Sequence, residues 1–224
     1  MPREAKTPRF TDRYRIEILM WILIAEIVVS PLADAHPRTG LPLGLLVLGT
    51  VFYAARYLAT REVIRKAVLS IAVIWMITRI LEAFSHSDRL YAHLSPIVGL
   101  AFSLSVLWAI FEHFRVRSSD LRSAIAEAFI GYLVIGIAFS QLYWILNRIL
   151  DHAFNVAIAS TQSAELLYFS MITLTTVGYG GIHPQNPYVR MVAAFESMYG
   201  IFFVAVVVAR LVASYHPTGA SEDR

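Results

Sequence analysis

The sequence predicts an all-α membrane protein with six transmembrane helices and a re-entrant short helix between the fifth and sixth. Three observations carry that expectation. Of 224 residues, 57% are hydrophobic and 16% charged, against roughly 25% charged in ordinary soluble domains. Mean hydropathy is +0.59, more apolar surface than a soluble chain of this length can hide. Apolar runs near the ~20 residues that a bilayer core demands recur along the chain, and a glycine-patterned stretch, FSMITLTTVGYGGIHP, lies between the last two.

The six runs are 16–32, 41–59, 67–84, 94–114, 124–146 and 189–212. A seventh apolar piece, 163–174, is too short to span and reads as a re-entrant half-helix. Basic residues cluster before the first run (Arg3, Lys6, Arg9, Arg13, Arg15), after the second (Arg61, Arg65, Lys66) and after the fourth (Arg115, Arg117, Arg122). The first and third connections hold one arginine each, Arg38 and Arg89. Basic segments stay cytoplasmic, which places both termini inside a multi-pass protein of the cell membrane. An even number of spans gives the same orientation. The rival reading of the first run is a secretory signal ending at Ala33-Asp34-Ala35. Its length and the interrupting Glu26 argue against that.

The net charge of +3 does not indicate nucleic acid, because the basic residues lie between apolar runs rather than in a patch. There is no cysteine, which excludes disulfides, thiolate metal sites and cysteine nucleophiles. The spans offer no repeated His, Asp or Ser constellation for catalysis, so an enzyme and an organic cofactor are not expected. The chain divides into an N-terminal segment 1–15, a four-helix domain 16–117, a second domain 122–212 and a cytoplasmic tail 213–224 too short for a ligand-binding domain.

Non-helical backbone at membrane depth persists only where protein buries it or water lines it. A strand with alternating glycines has a particular use there. Gly178 and Gly180 reach backbone angles closed to residues with a side chain, so successive carbonyls can be aimed to one side. Four such strands around an axis make stacked rings of carbonyl oxygens, which can replace the water shell of a cation. Thr176 adds hydroxyl oxygens at the inner end. The C-terminal end of the short helix carries partial negative charge, worth about 0.3–1 kcal/mol to a nearby cation.

Thr175 to Gly180, TTVGYG, resembles the selectivity filter of the tetrameric potassium channel family, and the resemblance covers about 124–211. It implies a homotetramer in a lipid bilayer, potassium ions held by Thr176, Val177, Gly178, Tyr179 and Gly180, and passive conduction. Pro184 falls where the family often has a proline, and Gly200 falls where it often has a gating hinge. Ile201, Val204, Val208 and Leu211, at helical spacing, would line the cavity and gate. A separate regulatory subunit stays open. So do a weakly voltage-dependent or less selective cation channel and a potassium transporter subunit, although a transporter would carry four copies of the loop.

This sequence departs from the family pattern at several places. Gly181 replaces the usual aspartate, which braces the filter against an aromatic residue of the pore helix, here Tyr168. Ile172 stands where some members have a buried glutamate. Loss of a charged hydrogen bond there removes about 1.5–3 kcal/mol of bracing. The expectation is a filter prone to inactivation, with decay slowed by Gly181→Asp. Glu196 is an acid inside the last span, expected to bond near the pore-helix end at Thr173 or Thr175. His183, near the outer mouth, either tunes conductance with external pH or is a solvated loop histidine.

The first four spans resemble a voltage-sensor domain without its gating charges. The fourth reads LSPIVGLAFSLSVLWAIFEHF and contains no arginine, whereas each gating charge supplies about 2.3 kcal/mol per 100 mV. Glu26, Arg79 and Glu82 are charged residues within spans, with Arg79 and Glu82 three apart on one helix face and Glu26 within reach of Arg79 across helices. Structural pairing is the expected role.

Overall fold

Apolar runs become helices because lipid offers no partner to backbone N–H and C=O groups, which must then be satisfied within the segment. The computed structural model describes residues 10–35, 49–50, 61–84, 89–116, 121–158 and 163–214. Its named helices are α1 (Phe10–Ala35), α2 (Glu62–Phe84), α3 (Arg89–Val116), α4 (Leu121–Ile149), α5 (Ser163–Leu174) and α6 (Pro187–Ser214). Hydroxyls inside these helices bond back to carbonyls of their own turns: Thr78 to Trp75, Ser103 to Gly99, Ser105 to Phe102 and Ser140 to Ile137. That lets a polar side chain sit in an apolar helix without an unmet donor.

Among the described residues, three helices are long and apolar enough to cross a membrane: His93–His113 in α3, Ser123–Ile149 in α4 and Pro187–Arg210 in α6. Six spans were expected. The first and third expected spans are helical over 26 and 23 residues, with the side chains at 10–15, 33–35 and 82–84 outside the described residues. The second, 41–59, lies outside the described residues apart from 49–50.

α4 is the centre of the architecture, packing against α1, α3, α5 and α6. One apolar cluster joins Ile16 and Leu19 of α1 to Ile110 of α3 and to Ala126, Ile130 and Val134 of α4. A second joins Val68 and Ala72 of α2 to Ala109 of α3. The third surrounds α5 and contains Tyr143, Trp144, Phe154, Leu166, Phe169 and Val189. Within it Tyr143, Phe154 and Phe169 meet edge to face, with centroids 4.9 to 6.0 Å apart, worth about 0.5–1.5 kcal/mol per pair beyond area burial. The first and third helices therefore pack on α4.

α5 is placed by its two ends. Asn147, near the α4 C-terminus, donates to the Ile158 carbonyl just before α5. At the other end Tyr132, in the first half of α4, donates to the Leu174 carbonyl at 2.9 Å. α5 thus starts level with one end of α4 and stops near its middle, about 18 Å further on at 1.5 Å per residue. The chain then returns to the starting level, where Phe154 and Pro184 form an antiparallel bridge. α6 begins there, with Pro187 in its first turn and the Asn186 side chain accepting from the Tyr188 N–H at 3.0 Å, an N-cap arrangement.

Candidate functional site: the strand after α5

The last turn of α5 sets the start of the strand. Thr175 N–H and Oγ1 both donate to the Met171 carbonyl, and Thr176 N–H donates to Thr173. Gly178 N–H then reaches back to the Ile172 carbonyl at 3.1 Å. In a trans peptide the carbonyl of one residue points opposite to the next N–H. With the 176 and 178 N–H groups turned toward α5, the Thr175 and Val177 carbonyls point away from it, toward the open side.

Thr176, Gly178 and Gly180 have φ of 62°, 52° and 82°, while Val177 and Tyr179 between them are outside that region. Every second residue is left-handed, which turns alternate peptides over and brings successive carbonyls to one face. A Cβ at Gly178 or Gly180 would touch nothing within 4 Å, so glycine is needed for its backbone angle and not for space. Val177 and Tyr179 are exposed in the isolated chain, as expected of a strand whose other partners lie elsewhere.

The expected support residues fall around this strand. The Thr173 carbonyl accepts from Ser197 Oγ of α6 at 3.2 Å. Tyr168 is 43% exposed and makes no hydrogen bond among the described residues. Ile172 is buried and contributes its carbonyl. Glu196 is fully buried, accepting from Tyr143 Oη at 2.6 Å and lying 2.5 Å from Ser170 Oγ. It meets α5 one turn before the expected Thr173 and Thr175, because Gly200 occupies the end of α5. A Cβ at Gly200 would run into the Leu174 carbonyl, 2.9 Å from its carbon.

Ile201, Val204 and Val208 form an uncovered face of α6, each more than half exposed. The side chains of Leu211 and Glu82 lie outside the described residues. Glu26 accepts from Thr50 Oγ1 at 2.6 Å. The Arg79 guanidinium sits over the Trp144 ring at 5.6 Å, with Arg148 over the same ring at 5.4 Å. Arg79 therefore ties α2 to α4, a contact worth about 0.5–2 kcal/mol.

Asn155 was not singled out by the sequence. Its side chain donates to the Gly181 carbonyl at 3.0 Å and accepts from His183 N–H at 2.8 Å. The adjoining backbone pairs as well: Asn155 N–H to the His183 carbonyl at 3.0 Å and Gln185 N–H to Ala153 at 2.9 Å. Buried Phe154 fixes this segment in the aromatic cluster. Nothing local advertises the role, since asparagine is common in loops.

With this geometry in place, comparison with known proteins is informative. Residues 129–215, from the first half of α4 past the end of α6, match the family model described as Ion channel. That stretch of the chain is similar to an ion-channel domain. Two curated relatives come from Arabidopsis thaliana. Two-pore potassium channel 3 is 29% identical over 107 residues, 45% of this chain and 23% of the relative. Two-pore potassium channel 2 is 26% identical over 96 residues, 43% of this chain and 20% of the relative. The chain thus spans less than a quarter of either relative. The matched stretch holds α5, the left-handed strand, Glu196 and Gly200. Asn155 falls inside it too.

Proposed function

We propose that the chain is a subunit of a potassium-selective channel in which four copies surround one axis. The observation that carries this reading is the alternation of left-handed residues at 176, 178 and 180 in a TTVGYG sequence. It gives each chain one column of inward carbonyls, and a closed ring of ligands for a dehydrated cation needs several columns. The two relatives named as potassium channels support the choice of ion.

In this reading the chain spans the cell membrane six times with both termini cytoplasmic, and α5 with its strand is a re-entrant pore loop. Thr176, Val177, Gly178, Tyr179 and Gly180 hold K+. Ile201, Val204, Val208 and Leu211 line the inner cavity and gate, with Gly200 as hinge, and Glu196, Thr173 and Thr175 support the filter. Arg79, Glu26 and Glu82 serve packing rather than voltage sensing.

Flux from proteoliposomes tests the proposal. The protein is expected to pass K+ down its gradient and to pass Na+ far more slowly. Gly178→Ala, which forces a side chain onto a φ of 52°, should abolish the flux. Equal Na+ and K+ rates would replace the reading with a non-selective cation pore. No cation flux at all would refute it.

A further inference from the structure

The strand leaves its last left-handed residue, Gly180, and passes directly into Gly181 and Ile182. Nothing in the side chain of Gly181 can fix the strand at this end. The inner end is tied to α5 through Thr176 and Gly178, but the outer end lies beyond reach of those bonds. Among the described residues the His183 ring meets the Gly180 carbonyl at 3.4 Å, and one side chain reaches this end from another loop. Asn155 uses both halves of its amide, donating to the Gly181 carbonyl and accepting from the His183 N–H. Each half of the amide meets the group it requires, so the orientation is set by the bonds themselves.

Asn155 is itself held in place. Phe154, beside it, is 5% exposed and lies against Tyr143 and Phe169. Backbone bonds at Ala153 and Asn155 pair the segment with 183–185. The amide is therefore anchored to the aromatic cluster behind α5 and reaches across to the strand's outer end.

We infer that Asn155 is the positioning residue that keeps the outer end of the filter in its conducting shape, taking the place of a side-chain brace at position 181. This rests on the channel reading above. Asn155 touches no permeating ion. It acts through the Gly181 carbonyl and the His183 amide, and its loss should shorten the time the filter stays conductive.

The test uses the full-length protein in bilayers, comparing wild type with Asn155→Asp and Asn155→Ala. The aspartate is nearly isosteric and keeps the acceptor for His183 while losing the donor to Gly181. Loss of these bonds should make K+ current decay about tenfold faster in the alanine variant, with a smaller acceleration in the aspartate variant. Raising external K+ should slow the decay again, because a bound ion stabilises the conducting state. A merely structural role in the loop would lower the yield of assembled protein without that K+ dependence. Unchanged decay in both variants, or acceleration that external K+ does not touch, overturns the inference.

Amide hydrogen exchange over 177–185 gives a second readout that needs no current. Exchange in K+ should rise in Asn155→Ala, and unchanged exchange also overturns the inference. Absence of K+ current in the wild type would refute the channel reading itself, whereas the exchange result bears on Asn155 alone.

Discussion

Thr176 holds a φ of 62°, a conformation that costs a non-glycine residue of order 1–3 kcal/mol. Its N–H bond to Thr173 and the following bond from Gly178 to Ile172 supply the compensation, at about 0.5–1.5 kcal/mol each. The same accounting applies at the outer end. The two bonds at Asn155, one donated to Gly181 and one accepted from His183, are of the size of the charged bond that Gly181 cannot make. Glu196 is a third case. Ser170 Oγ has one proton but lies 2.7 Å from the Gly136 carbonyl and 2.5 Å from Glu196 Oε1. An uncharged side chain that donates to Ser170 and accepts from Tyr143 fits both contacts, and glutamine does this. Glu196→Gln should keep the thermal stability of the purified protein within about 1 kcal/mol, while Glu196→Ala should lose about 1–3 kcal/mol. Equal damage from both would show that the charge itself is required. The glycines at 178 and 180 were legible because a positive φ selects a residue type. The strain at Thr176 and the role of Asn155 were not, since a strained threonine looks like any other and Asn155 acts on a carbonyl 26 positions away.

Helices α5 and α6 run side by side in register. Ser170 meets Glu196, and one turn later Leu174 meets Gly200. The sequence placed Glu196 against the end of α5, a one-turn error that arises because the close approach at Gly200 was not visible without the partner helix. That approach makes Gly200 a contact residue whatever it does as a hinge. Gly200→Ala should destabilise the protein by about 1–3 kcal/mol through overpacking, read as a lower unfolding midpoint in detergent. Gly131 is the control, because a Cβ there comes no nearer than 4.0 Å to Ile110. Gly131→Ala should be neutral or gain about 0.5–1 kcal/mol from helix propensity. If both behave alike, the close packing of α5 on α6 is not what sets the midpoint. The long helices themselves were readable from apolar runs.

At the scale of the molecule, one chain supplies one strand and leaves much of α6 uncovered, with Ile201, Phe202, Val204 and Val208 all exposed. A tetramer should therefore be the species extracted in mild detergent, with a native mass four times the 25.2 kDa chain. A monomeric mass in a preparation that conducts K+ would count against it. The similarity to ion channels over 129–215 was legible because its chemistry is concentrated in a few consecutive residues. How α1 to α4 pack was not, because that depends on matching surfaces spread over more than a hundred residues.

One contact between these helices bears on the history of the chain. His113 at the end of α3 and Glu127 in α4 face each other at 3.1 Å with side chains 1% and 0% exposed. Replacing His113 alone strands Glu127 in the interior, costing about 1–3 kcal/mol, whereas replacing both with apolar residues of similar volume can be close to neutral. Position 113 cannot drift freely while Glu127 stays. Descendants of this sequence that lose His113 should have lost Glu127 too, so these two sites do not record ancestry as two independent characters.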